Sequence, residues 1–204
     1  MEVRDIKLYI DGRWQFTDLN ILTRVYIQLY GLLYSLDVAD DYFQYIYGKY
    51  PWRGGYSAVN FYQNLFVKMP CDYKPRIQSI QYASPGFIEL SQLVEVAKDI
   101  AQIVGYVSAA LIAGNKTYST IQKGISERKL SKINLRSEEL SLLEKERVFI
   151  HNSVNDIARV MGIKPETLSK LYFRTENNEL AVLKILSSVY RCHRQCKTDP
   201  LTTI

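Results

Sequence analysis

The chain has 204 residues, a formal net charge of +5 and an ordinary hydrophobic share of 47%. That length buries a full core, and the composition excludes wholesale disorder. The charge permits contact with nucleic acid or an acidic partner without requiring either.

Residues 3–10 alternate as a strand, with Ile6, Leu8 and Ile10 on one face. Asp11-Gly12 reads as a two-residue hairpin turn and Arg13 to Phe16 as the returning strand. Thr17 or Asp18 then caps a helix to about Ser35, with an apolar stripe of Leu19, Leu22, Val25, Tyr26, Leu29, Tyr30 and Leu33. Residues 37–56 are less regular: Asp40 and Asp41 begin a short helix, while Pro51, Gly54 and Gly55 mark a loop. A helix over residues 57–67 stops before Met69-Pro70.

A second hairpin pairs residues 77–82 with residues 87–90 across Ser84-Pro85-Gly86. A helix over residues 91–113 follows. Its apolar run IAQIVGYVSAALIA has fourteen residues, short of the roughly 20 that a membrane span needs, so it reads as a core helix and no membrane partner is expected. From Asn115 to Arg136 the charge turns basic, marking a linker or an exposed helix. Beyond it Ser137 caps one helix and Ser153 can start another, although Ile150, Val154, Ile157 and Met161 also fit a single helix over residues 138–161. Thr175 or Asn177 precedes the last helix, ELAVLKILSSVYRCHRQC.

The expected fold class is therefore α+β: two β-hairpins in a small antiparallel sheet covered by helices, followed by a C-terminal helical bundle. The corresponding divisions are an α+β domain over residues 1–114, a basic connection over 115–136, a bundle over 137–192 and a tail over 193–204.

Within the bundle, VNDIARVMGIKPETLSKLYF over residues 154–173 has the spacing of two helices across a tight turn. Ile157, Ala158 and Met161 form an inner face, and Gly162 takes the sharp bend. Ile163 plugs the turn, Pro165 opens the second helix, and Leu168 and Leu171 face back. This window resembles the helix-turn-helix of DNA-binding regulators. The resemblance implies a second helix in the major groove of double-stranded DNA, with Lys164, Glu166, Thr167 and Lys170 turned outward and Arg159 and Arg174 near phosphates. The string SIQYASPG in the second hairpin resembles one in uncharacterised bacterial proteins, which brings no function with it.

Eleven of the sixteen tyrosines lie between Tyr26 and Tyr82. Tyrosine adds contact area at low entropic cost, so Tyr45, Tyr47, Tyr50, Trp52 and Tyr56 form a candidate protein interface. Cys71, Cys192 and Cys196 are an odd number of thiols with no leader ahead of them, which reads as a reduced, cytoplasmic setting. Cys192, His193 and Cys196 lack the further ligands that structural zinc needs, and Asp37, Asp40 and Asp41 read as helix caps rather than a metal cluster. Trp52-Arg53-Gly54-Gly55 lacks the spacing of a phosphate loop, and two histidines leave little room for acid–base catalysis. No cofactor, metal or enzyme signature is read. The expected function is a non-enzymatic assembly module, oligomeric or an accessory subunit of a larger bacterial complex, that binds protein or its own copies. The alternative is DNA binding through residues 154–173.

Overall fold

A computed structural model describes residues 2–10, 15–49, 56–83, 85–128, 130 and 144–196. Three strands, β1 (Val3–Ile10), β2 (Arg76–Gln81) and β3 (Gly86–Leu93), form one antiparallel sheet in the order β1-β3-β2. Eight helices accompany it among the described residues: α1 (Phe16–Asp37), α2 (Asp41–Lys49), α3 (Tyr56–Lys68), α4 (Val94–Ile112), α5 (Thr117–Glu127), α6 (Glu144–Val160), α7 (Pro165–Arg174) and α8 (Glu179–Cys196). The fold is α+β, as its pattern of alternating and helical segments leads one to expect.

Of the first hairpin's returning strand, read over residues 13–16, only the end is described, and it is helical. Phe16 begins α1 rather than ending a strand, because the Asp18 carboxylate accepts a 2.6 Å hydrogen bond from the Gln15 N–H and closes the first helical turn there. Thr17 and Asp18 therefore lie inside the helix. Residues 11–14, with the turn at Asp11-Gly12, lie outside the described residues. β1 pairs with the distant β3, placing Leu8 opposite Ile88 and Ile6 opposite Leu90. The second hairpin forms, with β2 starting and ending one residue earlier than expected and β3 longer, since residues 91–93 extend it before α4 starts.

One face of the sheet packs on α1 and α4. Leu8, Ile10, Ile88 and Leu90 are buried there with Val25, Leu29, Ile100 and Ile103. Two tyrosine hydroxyls in this layer find hydrogen-bond partners. The Tyr26 hydroxyl donates to Gln92 Oε1. The Tyr30 hydroxyl donates to the Tyr73 carbonyl at 3.0 Å and accepts from the Leu93 N–H at 2.9 Å. Burial pushes the Tyr30 phenol up to about 12 and the Tyr26 phenol higher still, so both stay neutral donors.

α1 is the hub. It contacts α3, α4, α7 and α8, and the buried apolar residues of the whole chain form one cluster. Its approach to α3 is close: a Cβ on Gly31 would stand 3.1 Å from the Phe66 backbone nitrogen. That cluster includes buried residues from both sides of residues 114 and 137. α5, inside the basic connection, is an amphipathic helix with Tyr118, Ile121 and Ile125 buried, and the Tyr118 ring stacks on Tyr190 at 4.6 Å.

α6 runs unbroken through Ser153, which is buried inside it rather than starting a helix. Ser137 lies outside the described residues. Asn178 caps α8, accepting from the Ala181 N–H at 2.8 Å, while Glu176 and Asn177 take positive φ at the end of α7. α8 continues to Cys196, into the stretch read as a tail. No single described helix is long and apolar enough to cross a membrane.

Candidate functional site

The helix pair of residues 154–173 is present as α6, a turn and α7. Gly162 holds φ at +61°, and a Cβ there would lie 2.4 Å from the Tyr106 ring, so both backbone and space select glycine. Met161, Ile157 and Leu171 are buried, and Pro165 occupies the first turn of α7. Gln102 Nε2 donates to the Gly162 carbonyl at 2.5 Å, fastening the turn to α4.

The cations of this element are engaged within the chain. Lys164 Nζ donates to Asp99 Oδ1 at 2.6 Å, and that hydrogen bond, with the charge behind it, raises the Lys164 pKa. Lys170 Nζ donates to Asp37 Oδ1, also at 2.6 Å. Arg159 pairs with Asp156 at 2.6 Å on α6. Arg174, expected near a phosphate, is only 5% exposed. Its guanidinium donates to the Val38 carbonyl and, more loosely, to the Asp40 carbonyl and Gln44 Oε1 at 3.5 Å each. Gln44 Nε2 returns a bond to the Arg174 carbonyl at 3.2 Å. The expectation for Arg174 is corrected: burial against α2 removes it from any surface, because three carbonyl-type acceptors converge where the helix ends.

What α7 leaves outward is Pro165, Glu166, Ser169, Lys170 and Phe173, the last 73% exposed. Thr167 turns instead toward a cavity of about 10 Å³ bordered by Leu33, Asp99, Gln102 and Lys164. That volume has room for about one water, not a substrate.

Of the tyrosine set, the side chains of Tyr45 and Tyr47 are described, and they face opposite ways. α2 presents Phe43, Ile46 and Tyr47 inward at helical spacing and Tyr45 outward, 56% exposed. Tyr47, expected at an interface, is core: its hydroxyl shares a 2.9 Å hydrogen bond with Ser35, its ring meets Phe61 edge-on at 5.1 Å, and burial pushes its pKa up. Tyr50 and Trp52 lie outside the described residues, as does the side chain of Tyr56, whose backbone opens α3.

Asp37 pairs with Lys170, and Asp40 accepts from the Tyr42 N–H at 2.7 Å as a cap of α2. Among the described residues no three His, Cys, Asp or Glu side chains are grouped to hold a metal ion.

The surface that sequence reasoning missed is on β2. Ile77 stands opposite Leu90 and Ile80 opposite Ile88, on the face that the helices cover elsewhere. Yet Ile77 is 62% and Ile80 53% exposed, with Tyr82 just beyond at 72%. Two isoleucines three apart do not alternate. They share a face because Gln78 is an extra residue, a bulge between Ile77 and Ser79. No protein-family model, curated protein or solved structure matches the chain.

Proposed function

We propose that this chain is a non-enzymatic assembly module that binds protein, its own copies first, in the cytoplasm. The observation that carries the reading is the uncovered apolar end of the sheet. Burying an isoleucine is worth about 1.5–3 kcal/mol, so leaving Ile77 and Ile80 in water has a cost that a partner removes. The helix pair is packed as part of the common core. Sedimentation velocity over a concentration series tests the proposal. Mass that rises with concentration supports it, and a monomer throughout counts against it.

A second reading, DNA binding through residues 154–173, is favoured by the sharp turn at Gly162 with Pro165 opening α7. DNA would have to compete with Asp99 and Asp37 for Lys164 and Lys170. Titrating fluorescent duplex DNA across a salt series, beside Lys164→Ala/Lys170→Ala, separates the two. DNA binding predicts affinity that falls steeply with salt and drops in the variant.

A further inference from the structure

We infer that two copies of this chain join through antiparallel pairing of their β2 strands, extending the three-stranded sheet into one of six. The inference rests on the assembly reading and names its surface and partner.

Among the described residues β1 and β2 form the two edges of the sheet, and they differ in charge. β1 carries Arg4, Asp5 and Lys7, with Glu2 just before it, the kind of charged edge that resists strand addition. β2, RIQSIQ, carries Arg76 at its first position and no other charge, and it contains no proline. Within the described residues its strand pairing is with β3 alone. Pairing β2 of one copy with β1 of the next would repeat head to tail, as a ring or an open filament, whereas β2 on β2 closes as a two-fold dimer.

The two-fold register is self-complementary. With the axis between Gln78 and Ser79, Ile77 falls opposite Ile80 of the second copy, and Ile80 opposite its Ile77. Arg76 falls opposite Gln81, so no like charges meet. The bulge sets both isoleucines of each copy on the helix-side face, and the pairing gathers four of them there. That assembly continues the apolar layer of Ile88 and Leu90 across the axis. A strand from another protein could use the same edge. Only a second copy is matched to it residue by residue from this sequence.

The test is a charge exchange. Ile80→Lys and Ile77→Glu are made singly in the full chain, at positions more than half exposed, and melting temperature checks that each folds. Each variant alone is expected to dimerise at least about tenfold more weakly than the parent chain. An equimolar mixture should recover the dimer, because Lys at 80 in one copy then faces Glu at 77 in the other while the remaining isoleucine pair is intact. Dimers that ignore both substitutions, or a mixture no tighter than the single variants, would overturn β2 pairing and leave the assembly reading standing. A parent chain that stays monomeric overturns both.

Discussion

Replacing Arg174 with methionine keeps most of the volume of the side chain and removes its charge and its donors. The carbonyl of Val38, the residue that follows α1, then loses its partner, and the weaker contacts to the Asp40 carbonyl and Gln44 go with it. A hydrogen bond to a charged group contributes about 1.5–3 kcal/mol, and an acceptor left buried without a partner adds to the loss. The two 3.5 Å contacts are too long to count in full, so the expected destabilisation is about 3 kcal/mol. For a chain of this size that lowers Tm by roughly 6–12 °C. Arg174→Lys should fall between, since it retains the charge but not the planar fork. Thermal unfolding followed by circular dichroism reads the shift. Hydrogen exchange at the α1–α2 junction should accelerate in the same variant. If Arg174→Met melts within about 2 °C of the parent, the guanidinium is not joining α7 to the N-terminal helices, and its burial has been given too much weight.

Gly162→Ala should destabilise by about 1–2 kcal/mol from the positive φ alone, and more from the Tyr106 ring; in a Tyr106→Ala background the second part should vanish, as a double-mutant cycle in urea would show. Burial brings the Lys184 pKa down from 10.5 to about 8, so the folded state sheds a proton that the unfolded chain keeps between those values. Stability therefore rises with pH from about 8 toward 10.5. Between pH 7 and 9.5 the parent should gain on the order of 1–2 kcal/mol relative to Lys184→Met, and an unchanged gap would refute the assignment. Lys164→Ala and Lys170→Ala each break a partly exposed ion pair and should cost about 0.5–1 kcal/mol, less at high salt, with the oligomeric mass unchanged.

Local features were legible in the sequence and distant ones were not. The cap at Asp40, the second hairpin and the core helix α4 depend on neighbours within a turn or two, and their residues announce them. β1 was legible as a strand, but Asp11-Gly12 advertises a nearby partner, whereas the register that buries Leu8 and Ile10 belongs to β3 some eighty positions on. Tyr47 and Tyr45 are the same residue type two positions apart. Only the spacing of Phe43, Ile46 and Tyr47 tells the inner from the outer face, and a clustering of tyrosines obscures it. Arg174 looks like an ordinary basic residue at a helix end, because its acceptors are backbone carbonyls about 130 positions earlier. The paired isoleucines of β2 were hidden by the bulge, which breaks the period of two on which strand reading relies.

The hub position of α1 sets a schedule for the chain as it leaves the ribosome. Leu29 and Leu33 emerge early, but α7 and α8, which cover part of α1, come more than a hundred residues later. The bonds from Gln44 to Arg174 and from Tyr62 to Ile185 span 130 and 123 positions. At bacterial and eukaryotic elongation rates of about 5–20 residues per second, the nascent N-terminal half waits roughly 6–26 s with an apolar helix face in water. Chaperone occupancy on stalled nascent chains should therefore peak before α8 is exposed and collapse once it is.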